Sequence, residues 1–467
     1  MGILCMGALM IVLDVTIVNV ALPSIRVDLG FSEVNLAWVV NVYLLIFGGF
    51  LLLGGRLGDF YGQRRLFLMG LVLFTLASLA CGMSGSQGFL VAARAVQGLG
   101  GAIVDAVSLS LIINLFPETE ERTKAMGVYG FVCSGGGSIG ALLGGVLTGT
   151  FNWHWIFLVN VPVGAVVFLL CWKLLPAKSG EATGPRQLDV GGAVSVTLAM
   201  LLAVYATING NQEGWGSAQT LGLLSAAGVM FAVFLAIESK VRPPLVPLAM
   251  FRLRNLSVAS IIGVFWAGGM FAWFFLSALY MQQVLGFSPF QIGMAFLPAN
   301  LIMAAFSLGI SAKLVMRYGL RLPLAGGLLL AAAGLLLFSR APLDGTLVRD
   351  VLPGMLLLGL GAGIAFNPVL MAAMSEVPQT ESGLASGIIN TAFMMGGSLG
   401  LAALASVASA RTGSLTTQGS EHLAALAGGY QMAFLVGAGF VVLGALLGGL
   451  LLREAAPGAE APQPAGH

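Results

Sequence analysis

The chain reads as an all-α polytopic membrane protein. The expected fold has fourteen transmembrane helices, arranged as two six-helix bundles with two further helices inserted between them. Three observations carry that expectation. Of 467 residues, 58% are hydrophobic and 9% charged, with a mean hydropathy of +0.96, whereas a soluble domain carries about 25% charged residues. Fourteen apolar runs reach the roughly 20 residues a helix needs to cross the hydrocarbon core. Three glycine-bearing phrases of the first half recur, in the same order, in the second. The net charge of +2 says little about partners, because the placement of charge outweighs its sum in a membrane chain.

The runs fall near 3–22, 37–57, 66–83, 89–115, 125–148 and 156–175, then near 190–209 and 218–237, and finally near 256–280, 291–315, 322–339, 351–373, 383–408 and 430–452. The first six form an N-terminal bundle over 1–175. The next two, with their linkers, form an insertion over 176–255, and the last six form a C-terminal bundle over 256–452. The opening Met-Gly-Ile-Leu-Cys-Met has neither a basic n-region nor a cleavage signal, so it reads as the start of the first span. Residues 453–467 are rich in Ala, Pro and Gly, the composition of a disordered tail.

Orientation follows from the basic residues of the loops. With the N-terminus inside, the outer loops hold four of the 21 Lys and Arg: Arg26, Arg340, Arg349 and Arg411. Arg94 lies within a span, and the other sixteen fall on the inner side, so both termini are expected in the cytoplasm. Arg outnumbers Lys 16 to 5, as in a GC-rich bacterial gene, and the expected location is a bacterial cell membrane.

The repeat pairs Phe-Tyr-Gly-Gln-Arg at 60–64 with Arg-Tyr-Gly-Leu-Arg at 317–321. It pairs Gln-Gly-Leu-Gly-Gly-Ala-Ile at 97–103 with Leu-Gly-Leu-Gly-Ala-Gly-Ile at 358–364, and Gly-Gly-Ser-Ile-Gly at 136–140 with Gly-Gly-Ser-Leu-Gly at 396–400. The offsets, 257, 261 and 260, are nearly constant. Two bundles related by a parallel repeat place a substrate site near mid-depth between the halves, with access alternating as one half rocks on the other.

Enzyme chemistry has no evident seat. There is no phosphate-cradling loop with Lys and no metal-spaced His/Cys cluster, and His154, His422 and His467 fall in outer loops or at the last residue. Cys5, Cys81, Cys133 and Cys171 lie in apolar runs without paired spacing and read as packing residues. Neither cofactor nor metal is expected, only the proton as coupling ion.

The ionisable residues inside the spans carry the functional expectation. A carboxylate near mid-bilayer costs about 2.5–3.5 kcal/mol on insertion scales, so Asp14 reads either as a proton carrier or as an interhelical packing bond. Asp105, in the fourth span, reads as an acid that shares the proton or tunes substrate choice, or as an interhelical packing bond. Counted from the inner ends of their runs, both acids lie roughly 15–17 Å deep, which places them on a common cavity. Arg94 is a buried cation on one helical face with Gln97, Gly101, Asp105 and Ser108. It is about 16 Å from Asp105 along the axis and needs another partner.

In the loop at 55–65, Gly55 and Gly62 permit a tight turn, while Asp59 can cap it and pair with Arg64 or Arg65, a charged latch on the inner side. Met316 replaces Asp59 in the second half, so the latch is asymmetric. In the fifth span, Gly136, Gly140, Gly144 and Gly145 permit close helix contact, as tight packing or as a gating hinge. Candidate substrate contacts are Asn41, Tyr43, Gln97, Trp273, Asn300 and Asn390. Asn367 is a further polar residue, and Trp266, Phe271, Phe274 and Phe275 crowd the ninth span. Such aromatics suit lipophilic cations and lipid-facing belts alike.

These phrases resemble the major facilitator superfamily, specifically its fourteen-span drug:proton antiporter branch (the QacA/EmrB type), over essentially the whole chain. Leu-Asp-Val-Thr-Ile-Val-Asn-Val-Ala-Leu-Pro at 13–23 is similar to the branch's first-span signature. Gly-Arg-Leu-Gly-Asp-Phe-Tyr-Gly-Gln-Arg-Arg at 55–65 is similar to the superfamily's loop motif, and Arg-Ala-Val-Gln-Gly-Leu-Gly-Gly-Ala at 94–102 to its fourth-span motif. Residues 127–145 resemble the fifth-span motif associated with antiporters. The phrases at 153–164 and 280–289 resemble others of the branch. Two positions depart: Ala141 follows Gly140 where the motif has Pro, and His154 stands where Arg is usual.

The resemblance implies proton-coupled efflux of lipophilic, cationic or neutral, drug-like compounds, with Arg94 influencing proton movement near the acids. The expected partners are a small drug-like substrate, protons and the lipid bilayer, with no nucleic acid, and the chain is expected to act as a monomer. A symporter of the same fold is the first alternative, for which Ala141 leaves room. A non-transporting sensor or scaffold is the second, and it has no use for buried ionisable residues.

Overall fold

Ser32, Asp189, Ser217 and Ser288 each open a helix, their side chains accepting the backbone N–H of the residue three positions on. Such caps satisfy donors that the helix itself leaves unpaired. Gly62, Gly214 and Gly319 close helices at φ of +90°, +89° and +76°, a region glycine enters without penalty. The computed structural model describes residues 2–115, 136, 139–174, 189–241, 244–377 and 382–453. Its first group of helices is α1 (Gly2–Leu29), α2 (Glu33–Tyr61), α3 (Gln63–Gly82), α4 (Gln87–Leu115), α5 (Ile139–Thr150) and α6 (Trp155–Leu174). The inserted pair is α7 (Val190–Glu213) and α8 (Ala218–Lys240). The second group is α9 (Arg254–Gln283), α10 (Pro289–Ala305), α11 (Ser311–Tyr318), α12 (Arg321–Phe338), α13 (Leu352–Met374), α14 (Ser382–Thr417) and α15 (His422–Leu451).

Twelve described helices are long and apolar enough to cross a membrane. Two of the fourteen expected runs are shorter. The run at 125–148 lies largely outside the described residues and is represented by α5. The run at 291–315 is divided: α10 passes through a π-helical turn, Phe306–Ile310, into α11, giving a continuous helical path over 289–318. The tail expected to be disordered lies outside the described residues, apart from Arg453.

The repeat recurs in the packing. A methyl added at Gly98 would lie 2.7 Å from the Tyr43 carbonyl oxygen of α2, and one at Gly100 would lie 2.6 Å from the Phe74 nitrogen of α3. In the second half, Gly359 abuts the Ala299 backbone of α10 and Gly361 abuts Gly327 and Ala331 of α12. Gly140 lies against Leu13 and Thr16 of α1, and its counterpart Gly400 lies against Gly268 of α9. Small residues let the backbones approach where lipid offers no hydrophobic drive.

The halves meet where α2 packs on α14 and where α1 packs on α9 and α10. Helix α7 touches both halves. Its Thr197 fills the notch at Gly49 of α2, and Asn211 Nδ2 donates to Ser406 of α14, to the carbonyl at 2.6 Å and to Oγ at 2.7 Å. Helix α8 packs chiefly on α7. Only 17% of its most apolar stretch is buried, against 78% for α2, which leaves α8 facing lipid.

Candidate functional site

The carboxyl of Asp14 is fully buried at the centre of the first group of helices. Its Oδ2 accepts Arg94 Nη1 at 2.6 Å, and its Oδ1 accepts Gln97 Nε2 at 2.7 Å and Asn160 Nδ2 at 3.1 Å. Arg94, 1% exposed, also donates through Nε to the Val39 carbonyl at 3.0 Å and through Nη1 to Gln97 Oε1 at 2.7 Å. Its guanidinium carbon lies 4.2 Å from the Tyr43 ring centre and 5.7 Å from that of Phe157. Gln97 Nε2 donates a second bond to Ser78 Oγ at 2.8 Å, and Cys81 Sγ donates to Gln97 Oε1 at 3.6 Å. Five helices, α1, α2, α3, α4 and α6, therefore converge on one ion pair. Desolvating two charges is tolerable only with close geometry and further hydrogen bonds, and this site supplies both.

The structure gives Arg94 the partner that spacing alone left open, and that partner is Asp14. It also separates the two acids. Asp14 lies level with Arg94 and Gln97, while Asp105 is half-buried about 16 Å further along α4. The equal-depth expectation took the inner ends of the two helices as level, whereas Asp14, bonded to Arg94, lies twelve residues from the start of α1 and Arg94 lies twenty-one from the end of α4, so α4 reaches further inward. Asp105 is not isolated, and it lies within electrostatic reach of Tyr43.

Gly136 and, in α5, Gly140 and Gly144 lie on the turns of α1 that flank Asp14. Methyl groups at Gly136 and Gly144 would lie 2.9 Å from Val12 Cγ1 and 2.8 Å from the Ile17 carbonyl oxygen. Gly145 faces the other half, where a methyl would lie 2.8 Å from the Pro289 carbonyl oxygen of α10, and Gly293 approaches the Ala141 carbonyl to 2.6 Å in the same sense. One helix thus touches both the turn that carries Asp14 and the opposite bundle.

The expected loop at 55–65 is a break of one residue: Gly62 alone makes the turn between α2 and α3, while Gly55 lies inside α2, near Ala106 of α4. Arg64 Nη2 donates to the Trp172 carbonyl, with its guanidinium 5.9 Å from the Trp172 ring centre, and Arg65 is exposed. The side chain of Asp59 lies outside the described residues. Met316 is 78% exposed.

The expected substrate contacts divide into three groups. Gln97 and Tyr43 belong to the Asp14 network: both ends of the Gln97 amide are engaged, and the Tyr43 ring lies beside Arg94. Among the described residues, fully buried Asn41 has neither amide atom bonded, and the Tyr43 hydroxyl is likewise without a partner. Trp273 packs on Phe274 and Phe296, with ring centres 4.4 and 5.7 Å away, and its Nε1 is unpartnered. Asn300 is buried and engaged, and Asn390 is half-buried. Asn367 Nδ2 donates to the Ser307 carbonyl at 2.6 Å.

Asn160, Ser78 and the Val39 carbonyl were not among the expected residues. Asn160 had a signal, an amide inside an apolar run, of the kind that drew notice to Asn41. Trp266 Nε1 and Ser277 Oγ are also buried and unpartnered, and with Trp273 they share one face of α9 at steps of seven and four residues.

Residues 4–401 match the family model described as Major Facilitator Superfamily. The chain is 37% identical to the puromycin resistance protein pur8 of Streptomyces alboniger, over 97% of this chain and 90% of that one. It is 36% identical to the cephamycin export protein CmcT of Amycolatopsis lactamdurans, over 90% and 86%. It is 37% identical to the multidrug resistance protein Stp of Mycobacterium tuberculosis (strain CDC 1551 / Oshkosh), over 87% and 74%. Among solved structures, an auto-inhibited POT family peptide transporter aligns over 98% of both chains with a TM-score of 0.69 at 16% identity. The inward-open xylose transporter XylE from E. coli aligns over 98% of this chain and 96% of that one, with a TM-score of 0.63 at 15% identity. These two likenesses show the fold.

Proposed function

The chain belongs to the major facilitator superfamily, a family of multi-pass membrane transporters rather than enzymes, and on that premise we propose that it exports lipophilic, drug-like compounds in exchange for protons. The relatives named for puromycin resistance, cephamycin export and multidrug resistance support the export of drug-like compounds. The observation that carries proton coupling is the buried Asp14–Arg94 pair. Fourteen crossings with both termini cytoplasmic complete the reading. The basic residues of the inner loops favour that orientation, and α5 and the path over 289–318 are the remaining two crossings.

Ionised Asp14 is gripped by one cation and two amides from α4 and α6. A proton arriving at Asp14 removes the charge they grip and releases α1. Arg94 keeps the Val39 carbonyl, Gln97 Oε1 and the two aromatic rings. Movement of α1 acts on the glycine face of α5, and Gly145 conveys it to α10 in the other half. The membrane potential contributes about 2.3 kcal/mol per charge per 100 mV to such a cycle. The unpartnered groups of Asn41, Trp266, Trp273 and Ser277 are hydrogen-bonding positions for substrate, because a buried polar group left unpaired costs about 1–3 kcal/mol and a bound compound relieves that cost.

The test is reconstitution in vesicles enclosing a pH-sensing dye, with an imposed proton gradient and added candidate compounds. Substrate-evoked proton counterflow is expected, and its absence in Asp14→Asn. Full counterflow in that variant overturns the role of Asp14, and compound moving in the same direction as protons overturns exchange.

A further inference from the structure

The inserted helices carry a feature that export does not use. Asp189 caps the first turn of α7, its Oδ1 accepting the Gly192 N–H at 2.7 Å. Glu238, near the end of α8, accepts the Val246 N–H on Oε2 at 3.0 Å. It thereby ties α8 to the segment that runs through the short helix Leu248–Arg252 into α9. The two residues are 7% and 4% exposed. The remaining oxygen of each, Asp189 Oδ2 and Glu238 Oε1, is buried and has no hydrogen-bond partner among the described residues.

These two oxygens converge. A methyl added at Gly192 would lie 2.6 Å from Asp189 Oδ2 and 2.8 Å from Glu238 Oε1. The oxygens are therefore no further apart than those two distances laid end to end, and the carboxyls are within hydrogen-bonding reach of one another. The groups acting on Glu238 are the Val246 and Leu245 backbone and Asp189. Among the described residues, no cation from α7, α8, or from α2 and α14 beneath them is one of these groups, and Lys240 and Arg252 form no ion pair with either carboxyl. Two buried carboxylates that face each other with no cation between them among the described residues repel and cannot both stay ionised. One proton between them turns repulsion into a short, charge-assisted hydrogen bond. A metal ion suits the pair less well: two oxygens converge, where Ca²⁺ takes about 6–8 oxygen ligands, and the described residues hold no cluster of three metal-binding side chains.

We propose that Asp189 and Glu238 form a proton-binding site separate from Asp14, with one proton shared between Asp189 Oδ2 and Glu238 Oε1. The shared proton fastens the start of α7 to the end of α8 and to the segment entering α9, at the inner ends of these helices in the orientation proposed above. Its stabilising effect is present at low pH and is lost as the pH rises and the pair becomes doubly charged.

Infrared difference spectroscopy of the full-length protein in lipid nanodiscs, with ¹³C-carboxyl Asp and Glu labels, tests this. The expected result is a protonated-carboxyl C=O band at neutral pH that shifts with the labels. It disappears in Glu238→Gln and in Asp189→Asn and persists in Asp14→Asn. A band unchanged in both variants, each folded by size-exclusion profile, overturns the site. Should neither variant fold, the unmodified protein decides. Its labelled band and its Tm are expected to fall together on alkaline titration, and a band absent at neutral pH, or a Tm that does not follow it, overturns the site. A Tm raised by Na⁺ or Ca²⁺ overturns the proton in favour of a cation.

Discussion

At Gly100 in α4 and Gly361 in α13, the two bundles make the same close backbone contact with the preceding helix of their own half. Six residues before each glycine they part company. Arg94 has Met355 as its counterpart, and Gln97 has Leu358, both apolar replacements fully buried. The stretch of α9 matching Asp14 holds Phe271, Trp273, Phe274 and Phe275. The second bundle shows that this frame packs without charge. Replacing a buried ion pair by well-packed apolar groups is often neutral or stabilising, so the pair in the first bundle is better explained by what it does than by what it holds together.

The largest expected effect breaks the comparison on one side. Arg94→Met leaves Asp14 without its cation and lowers stability by about 3–5 kcal/mol, seen as a fall in Tm, with proton counterflow abolished. Adding Asp14→Leu gives the first bundle the chemistry of the second. Tm is expected to recover toward wild type while counterflow stays absent, and a double variant as unstable as the single one ends the equivalence of the bundles.

Next come Gly100→Val and Gly361→Val, which test the shared frame itself. Each side chain meets backbone, and overpacking of this kind costs about 1–3 kcal/mol, so thermal unfolding should show comparable losses in both. A loss in one alone shows that the frames differ. Asn160→Ala removes one of three donors to Asp14, at about 1 kcal/mol, and is expected to reduce counterflow several-fold without abolishing it. The smallest change in stability belongs to Trp273→Phe, because the lost N–H has no partner. Its Tm is expected to match wild type, while export of compounds bearing hydrogen-bond acceptors falls several-fold relative to purely apolar ones.

The spans and the repeat were legible because apolar length and glycine spacing are properties of the chain itself. Asp14 and Arg94 were each legible as costly charges, but their pairing was not. It depends on how the inner ends of α1 and α4 are staggered, which only the packed helices show. Gln97 read as a substrate contact because an amide in a span signals only that it needs partners. The structure shows it using both ends on Asp14, Arg94, Ser78 and Cys81. The Val39 carbonyl carries no side-chain signal at all. Asp189 and Glu238 stand at the margins of their spans, about fifty residues apart in the chain, and only the fold brings them together.

Helix α7 is moored to both bundles, to α2 by Thr197 against Gly49 and to α14 by Asn211 on Ser406. A helix so moored cannot ride with both through a rocking stroke. Sliding over the glycine surface of α2 sacrifices no hydrogen bond, whereas leaving Ser406 sacrifices two, so the apolar mooring is the one that slips. In a rocking stroke the inserted pair is then expected to travel with the second bundle while the first slides past it.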